Sequence, residues 1–379
     1  MAQRLKTDWT LFFTIVVMVC FGMVIVYSAS SVMAELKYKN ANYFIVQQAV
    51  WAVASFLVLM FFKGIDYRRF KDPVWAFAPL GMVVALLVIV YFADPRRHRW
   101  LSIGSHGLQP SEFAKPALIV FLAWFISQRM RAINNRYTLV PALVALVVLA
   151  GMVVIADLGT AVVLVLTAVV MFYVAGLERR YFVAALMAGL VVAGAAIIAK
   201  PYRLARIVGY IDPEYKLIDK VNPSGGIKTY LQKSLASRDT HYQALQSKIA
   251  VGSGGVLGLG LMEGKQKLLY LPEAHTDFIY AVVGEELGLW GSSAVLIGFF
   301  LILWRGLRLF FIAPDDFGKY LALGITASVV IQALINMSVV LDMGPTKGIP
   351  LPMISYGGSS LLSTLVSLGM LLSVSEQAG

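Results

Sequence analysis

The stretch LPEAHTDFIYAVVGEELG, residues 271–288, places ionisable side chains at the start of an otherwise apolar helix. His275, Thr276 and Asp277 are consecutive in it. A carboxylate that enters a membrane helix is energetically costly, so such a residue is a functional-site hypothesis by default. Asp277 is therefore our first candidate for a catalytic residue, with His275 and Thr276 as supporting candidates.

A second stretch, ADPRRHRWLSIGSHGLQP at residues 93–110, places Arg96, Arg97 and Arg99 close to the end of an apolar segment. Guanidinium groups suit the recognition of phosphate, so a cationic patch for a phosphate-bearing substrate is one interpretation. The alternative is that these arginines contact lipid headgroups. Trp100 beside them is equally consistent with an anchor at the membrane interface.

The motif QPSEFAK, residues 109–115, opens another apolar segment, and Gln109 is its first candidate site residue. Ser111 suits the N-cap or first turn of a helix, and Glu112 suits the positive end of the helix dipole. Glu112 and Lys115 are three residues apart, hence on one helix face and able to pair. The pair either orients this helix against its neighbours or forms part of a site at the rim of a cavity.

The stretch GPTKGIPLPMISYGGSS, residues 344–360, is rich in proline and glycine and therefore irregular. Irregular backbone at membrane depth is tolerated where it lines a cavity. A structural cap is one interpretation, and an anion-binding surface of backbone amides is the other. The candidate side chains here are Lys347, Ser355, Tyr356 and Ser359.

A helix that includes residues 277–288 would place Asp277, Gly284 and Gly288 on nearly one face. The two glycines form a small-xxx-small pattern that permits close helix packing. We therefore expect Asp277 to point into the helix bundle or its vestibule. Glu285 and Glu286 lie ~12–13 Å deeper along such a helix and need partners or protons. Their function is left open.

Three further polar residues have structural interpretations. Asp157 is expected to cap the helix that follows it. Gln332 and Asn336 are four residues apart and are expected to form interhelical hydrogen bonds.

Composition sets the fold class. The chain has 379 residues, of which 59% are hydrophobic, and its mean hydropathy is +0.76. Such values predict an all-α polytopic membrane protein with ten transmembrane helices in one domain, residues 1–379. The predicted spans are roughly 8–32, 42–62, 73–93, 111–128, 138–156, 158–176, 181–199, 274–303, 320–341 and 354–375.

Charge and cysteine content exclude other classes. The net charge of +11 is assigned to loops that set membrane orientation, and no nucleic-acid partner is expected. The single cysteine, Cys20, allows no intramolecular disulfide and no thiolate metal site.

Most lysine and arginine residues outside the longest loop fall on one side of the predicted membrane. The positive-inside rule then places both termini in the cytoplasm and the loop of about 200–273, between the seventh and eighth spans, outside. Asp277 would face the extracytoplasmic side. The glycines at 252–264 fit an adaptable loop over the membrane surface rather than a dinucleotide-binding turn, because no strand precedes them.

Nearly the whole chain resembles the SEDS family of shape, elongation, division and sporulation proteins. The spelling is more similar to the cell-division members than to the elongation members. The matching motifs are VYSAS (26–30), RW…G…LQPSEFAK (99–115), ADLGT (156–160), YQALQSKIAVGSGG (242–255), QKLLYLPEAHTDFIYAVVGEELG (266–288) and PTKGIPLPMISYGGSS (345–360).

This resemblance implies a peptidoglycan glycosyltransferase that polymerises lipid II on the outer face of the cytoplasmic membrane, at the division septum. It implies that Asp277 is required and that Arg99, Trp100, Glu112 and Lys115 contribute. The implied partners are a class B penicillin-binding protein, which is a transpeptidase, and other divisome membrane proteins.

The expected chemistry needs one general base, because pyrophosphate leaves readily once its charge is compensated. Asp277 would accept the proton of the attacking sugar hydroxyl. Lysine, arginine or a divalent cation, Mg²⁺ or Mn²⁺, would neutralise the leaving group, with Asp277 as a candidate ligand. The alternatives are a lipid II flippase and a non-catalytic scaffold of the divisome.

Overall fold

The computed structural model describes residues 7–94, 98–103, 106–198, 204–205, 208, 240–268, 270–344 and 348–377. The helices there are α1 (Trp9–Tyr38), α2 (Tyr43–Gly64), α3 (Pro73–Ala93), α4 (Pro110–Arg129), α5 (Arg136–Ala156), α6 (Leu158–Val174), α7 (Arg179–Ile198), α8 (Thr240–Gly254), α9 (Ile279–Ile312), α10 (Asp316–Val340) and α11 (Gly358–Gln377). Short 3₁₀ helices cover Tyr67–Lys71 and Met130–Ala132, and an antiparallel hairpin joins β1 (Leu101–Ile103) to β2 (His106–Leu108).

Seven of the described helices, namely α1–α3, α5 and α9–α11, are long and apolar enough to cross a membrane. α6 is apolar but has only 17 residues. The predicted polytopic helical membrane fold is confirmed. The count of ten spans and the assignment of residues 1–379 to one domain stay predictions.

Helix ends follow local chemistry. Side chains of Asp8, Asp157 and Asp315 accept hydrogen bonds from backbone N–H groups in the first turns of α1, α6 and α10. Pro73 and Pro110 occupy the first turns of α3 and α4, where a missing N–H costs no helix hydrogen bond. The predicted cap at Asp157 is confirmed.

The centre of the bundle is formed by α4, α10 and α11. The most apolar windows of α10 and α11 are 78% and 83% buried, against 22–33% for α1–α3, α5 and α9, and most residues of α4 are buried too. The outer helices expose apolar stripes, as expected for surfaces that face lipid chains. On α2 the stripe contains Val46, Val50, Val53, Leu57 and Phe61.

The bundle has two ends, which we name by their residues. The site end contains Asp277, the β1–β2 hairpin and residues 348–357. The opposite end contains Asp8, whose carboxylate lies 2.6 Å from Arg305 Nη2, an ion pair between α1 and α9. Tyr67 also lies there, and its hydroxyl donates to Asp315 at 2.6 Å.

The prediction that a span begins at residue 274 is wrong. α9 begins at Ile279 and extends to Ile312, beyond the predicted end at 303. Residues 272–278 form turns instead. Pro272 and the positive φ of 58° at Glu273 explain this, because neither favours continuous helix. Asp277 therefore precedes the helix.

α9 is broken at Gly288, where φ is 62° and ψ is −153°. In an unbroken helix the carbonyls of Glu285 and Glu286 would accept from N–H groups four residues later. They accept instead from Leu259 N and Gly260 N, each at 3.0 Å. The break therefore leaves neither carbonyl without a donor, as membrane depth requires.

The N–H groups released by the break also find acceptors. Leu289 N donates to Gly255 O at 3.0 Å, and Trp290 N lies 3.5 Å from Val256 O. Residues 255–260 thus insert their backbone into the break of α9. These residues lie at the surface, as predicted, with Leu257 81% exposed. Their backbone is held by hydrogen bonds to α9, so the predicted adaptability of this loop stays a prediction.

Replacing Gly258 with alanine should destabilise the protein by about 1–3 kcal/mol. Gly258 has a φ of 83°, and an added Cβ would collide with Glu286 O. Gly252→Ala is the matched control, since nothing lies within 4 Å of its added Cβ. Thermal unfolding of the purified variants measures both effects. Equal melting temperatures for the two variants would contradict the prediction.

Candidate active site

Asp277 lies where three parts of the chain meet at the site end. Its backbone carbonyl accepts from Asn336 Nδ2 of α10 at 2.7 Å. Its carboxylate lies against Gly348, where an added Cβ would be 2.6 Å from Oδ2. The predicted face shared with Gly284 and Gly288 is wrong, because Asp277 is not in a helix and α9 is broken at Gly288. Asp277 nevertheless points toward the protein and is half-buried.

Two amides of α10 hold the backbone of the segment beside Asp277. Asn336 Nδ2 also donates to Ile349 O at 2.7 Å, and Gln332 Nε2 donates to Pro350 O at 2.8 Å. The predicted hydrogen bonds of Gln332 and Asn336 thus form, but mainly to carbonyls of a loop. They fix this irregular segment as one wall beside Asp277.

Ser355 and Tyr356 join the same segment to the His-Thr-Asp motif. Ser355 Oγ donates to Thr276 O at 2.6 Å, and Tyr356 N donates to His275 O at 2.9 Å. The Tyr356 hydroxyl donates to Gln47 Oε1 of α2 at 2.6 Å. These contacts hold two carbonyls of the motif immediately before Asp277.

Five backbone amides of this wall are already engaged. N–H groups of Leu351, Ile354, Ser355 and Gly357 donate to protein oxygens, as does that of Tyr356. These contacts favour the structural interpretation of the segment over an anion-binding surface made of those amides. Lys347, the predicted cation here, lies outside the described residues.

His275 is packed between aromatic rings. Its ring centroid lies 4.7 Å from that of Phe44 and 5.5 Å from that of Tyr356, and only 6% of the residue is exposed. Burial lowers the pKa of His275. Neighbouring Thr276 donates its hydroxyl to Glu273. Both residues therefore shape the turn that presents Asp277.

The predicted pair in α4 is present and almost completely buried. Lys115 Nζ lies 2.8 Å from Glu112 Oε2, with side-chain exposures of 6% and 3%. Lys115 Nζ also donates to Gln332 Oε1 at 2.5 Å. Because the other end of the Gln332 amide holds Pro350, the ion pair is coupled to the wall beside Asp277.

Of the three arginines in the predicted cationic patch, Arg99 contacts Asp157, while Arg96 and Arg97 lie outside the described residues. Arg99 Nη2 lies 3.0 Å from Asp157 Oδ2, and Gln109 Nε2 donates to the same oxygen at 3.2 Å. Gln109 also donates to Ser111 Oγ at 2.9 Å, so Ser111 is a first-turn residue of α4 rather than its N-cap. Trp100 is 37% exposed. Its ring lies against the hairpin.

Ser359 connects the 344–360 segment to the QPSEFAK motif at the start of α4. Its Oγ accepts from Gln109 N at 3.0 Å and is buried at the start of α11. The predicted residues of α4, the arginine loop and the 344–360 segment are thus joined in one polar network. Among the described candidates, Trp100 is the most peripheral.

Sequence reasoning missed two contributors. Asp157 is a shared acceptor as well as a helix cap, and Gln48 contacts the backbone at Ser355 and Gly357. The detectable signal for Gln48 was a pair of glutamines, Gln47 and Gln48, inside the apolar run of α2. No local signal marks Asp157 as a partner of Arg99.

Among the residues that the structure describes, no group of three or more histidine, cysteine, aspartate or glutamate side chains could hold a metal ion. Asp277 stays a candidate ligand for an ion that a substrate phosphate also binds.

Comparison with known proteins gives concordant results. A family profile described as "Cell cycle protein", covering FtsW, RodA and SpoVE, matches residues 8–379. The probable peptidoglycan glycosyltransferase FtsW of Geobacter sulfurreducens is 39% identical over 98% of this chain and 96% of its own. Stage V sporulation protein E of Bacillus subtilis is 36% identical over 99% and 98%.

Two solved structures have the same fold. A chain of a peptidoglycan synthase complex that coordinates polymerization and crosslinking aligns with a TM-score of 0.74, at 24% identity over 98% of both chains. The rod shape determining protein RodA of Thermus thermophilus aligns with a TM-score of 0.69, at 23% identity over 99% of this chain and 98% of its own. The predicted SEDS resemblance is confirmed, and the chain belongs to the FtsW, RodA and SpoVE family of cell-cycle membrane proteins.

Proposed function

We propose that this protein is a peptidoglycan glycosyltransferase that polymerises lipid II into glycan strands during cell division. The observation that carries the proposal is the placement of Asp277. Its carboxylate lies against Gly348, and its backbone is held by Asn336, so the position is fixed on two sides. The relatives named FtsW support the reaction class.

In the proposed reaction a hydroxyl of one sugar substrate attacks the anomeric carbon of a second sugar substrate, which carries the polyprenyl pyrophosphate. A new glycosidic C–O bond forms, and the bond from that carbon to the pyrophosphate oxygen breaks. Asp277 accepts the hydroxyl proton, and polyprenyl pyrophosphate departs with the bonding electron pair. One carboxylate is sufficient because this leaving group needs charge compensation rather than protonation.

Arg99 is our candidate for contact with the pyrophosphate. One side of its guanidinium is held by Asp157, while its buried Nε has no hydrogen-bond partner among the described residues. An apolar groove of about 200 Å³ between α3 and α5 ends at neighbouring His98. This arrangement suits a polyprenyl chain with its phosphate near Arg99.

A divalent cation fits only as a shared ion. Mg²⁺ is commonly held by one or two protein carboxylates together with substrate phosphates. Asp277 would be the protein ligand, and the ion would neutralise charge on the pyrophosphate.

Glu112 and Lys115 are assigned a positioning role. Lys115 donates to Gln332, and Gln332 donates to Pro350 in the wall beside Asp277. The proposed reaction does not require Glu112 or Lys115 to touch the sugar.

We assign the site end to the extracytoplasmic face and both termini to the cytoplasm, on the positive-inside rule. A class B penicillin-binding protein is the proposed partner, supported by the fold shared with a chain of a peptidoglycan synthase complex. Other divisome membrane proteins are further proposed partners and the division septum is the proposed location, which the similarity to relatives named FtsW supports.

A lipid II flippase would use the same substrate, and deep carboxylates such as Glu285 and Glu286 would favour that alternative if they had no structural partners. Both are engaged in internal contacts, so they give that alternative no support. A scaffold would require no placement of Asp277 at all.

The proposal is tested with purified protein, a transpeptidase partner whose crosslinking serine has been replaced, and purified lipid II. Glycan strands resolved by length on a gel are the expected product. If the wild-type complex bound lipid II but formed no glycan, the proposed function would be wrong.

Arg99→Lys should raise the KM for lipid II about tenfold, because lysine cannot bond Asp157 and phosphate with one planar group. Arg129→Lys is the matched control, because Arg129 is the last residue of α4, whereas Arg99 lies near the start of that helix. The KM values come from initial rates of glycan synthesis. An unchanged KM for Arg99→Lys would remove Arg99 from the proposed pyrophosphate site.

A further inference from the structure

A buried ion pair lies outside the site described above. Lys267 Nζ lies 2.5 Å from Glu286 Oε1, and the side chains are 3% and 0% exposed. Ser28 Oγ of α1 lies 2.6 Å and 2.7 Å from the two carboxylate oxygens and accepts from Lys267 at 2.9 Å. Met262 N donates to the carboxylate at 3.2 Å. Every charged atom of this cluster therefore has a partner.

Glu285, next to Glu286, binds the two residues that precede Lys267. Glu285 Oε1 accepts from Lys265 N at 2.7 Å and from Gln266 N at 3.1 Å. Glu285 is 1% exposed. Residues 265–267 are thus fixed to two consecutive side chains of α9.

These contacts fix one end of the segment between Lys267 and Ile279, and the start of α9 fixes the other end. Lys267 is the last of these anchored residues along the chain, α9 begins at Ile279, and Asp277 lies two residues before that start. The first anchor of the loop is the Glu285–Glu286 pair, and the second is the start of the same helix segment. Both anchors lie on the α9 segment before the break at Gly288, so they move together.

We propose that Lys267, Glu286 and Ser28 form a clamp that positions the loop carrying Asp277 for the glycosyl transfer. The inference rests on the proposed function and assigns these residues a positioning role. A covered ion pair is directional and has no competing water, so it fixes the loop base more tightly than apolar packing alone. Loss of the clamp should displace Asp277 without removing substrate contacts.

The test compares three variants with wild type. Lys267→Met removes one charge and leaves Glu286 unpaired. Lys267→Met with Glu286→Gln removes both charges, leaves no buried unpaired charge, and keeps an acceptor for Ser28 and Met262. Arg305→Met is the matched control, because Arg305 of α9 pairs with Asp8, the N-cap of α1, at the opposite end of the bundle, with side-chain exposures of 16% and 6%.

Two readouts are measured on the full-length complex with its transpeptidase partner. The clamp predicts that kcat for glycan synthesis in the double variant falls about 100-fold while KM changes little, as for a displaced reacting group. It also predicts faster hydrogen–deuterium exchange at residues 270–278 but not at residues 348–357. Arg305→Met should change neither readout per folded complex.

A double variant with kcat within about twofold of wild type and unchanged exchange would overturn the clamp. An equal loss of kcat in Arg305→Met would overturn it too, since any buried pair would then suffice. The measurement of hydrogen–deuterium exchange does not depend on polymerase activity. An inactive wild-type complex would therefore contradict the proposed function, while the exchange rates would still decide for or against the clamp.

Discussion

Replacing Asp277 with asparagine should lower the rate of glycan synthesis about 100- to 10,000-fold, the range typical for removal of a general base. Asparagine has nearly the same shape as aspartate, so the contact with Gly348 is retained. The hydrogen bond from Asn336 is made to the backbone carbonyl and is retained as well. The loss should therefore be chemical rather than structural. Initial rates at saturating lipid II measure it.

The matched control is Glu273→Gln, which neutralises an exposed carboxylate four residues earlier in the same turn. Its rate should stay close to that of wild type, because glutamine keeps a side-chain oxygen that can accept from the Thr276 hydroxyl, so the turn before Asp277 is retained. Co-purification of the transpeptidase partner checks that each complex is intact. A comparable rate loss in both variants would assign the effect to local charge instead of the Asp277 carboxylate.

Lys115→Met should destabilise the protein by about 3–5 kcal/mol, because it leaves the Glu112 carboxylate buried without its cation. The effect is large because the side chains of Glu112 and Lys115 are only 3% and 6% exposed. Gln332 also loses its donor, which loosens its hold on Pro350. Chemical or thermal unfolding of the purified variant measures the loss.

A second ion pair with the same spacing supplies the control. Asp316 and Lys319 lie at i and i+3 in α10, but their side chains are 46% and 36% exposed. Lys319→Met should therefore cost no more than about 1 kcal/mol. Adding Glu112→Gln to Lys115→Met should recover part of the stability, since no unpaired charge remains. If Lys115→Met and Lys319→Met were equally stable, burial of the first pair would have no energetic consequence.

The fold could be predicted from sequence where a helix depends on its own residues. The span predicted at 73–93 coincides with α3, and that at 42–62 differs from α2 (Tyr43–Gly64) by one or two residues. The break at Gly288 could not be predicted, because it depends on hydrogen bonds from residues 255–260. A glycine in an apolar helix is equally consistent with close packing, which is how its pattern was interpreted.

In the candidate site, too, contacts between residues close in sequence could be predicted, and contacts between distant residues could not. Spacing alone predicted the Glu112–Lys115 pair, since three residues on a helix bring two side chains together. Asp157 was predicted as a cap, which is also a local property. Its bond to Arg99 joins residues 58 positions apart and has no local signature. The roles of the candidate residues in catalysis stay predictions.

The most direct test of Asp277 as the general base is chemical rescue. The measurement is the initial rate of glycan synthesis from lipid II by the Asp277→Ala complex, with and without added formate. We predict a rate about 100-fold or more below wild type that rises with formate concentration, as a small carboxylate replaces the missing base. A rate within about twofold of wild type without formate would contradict the account.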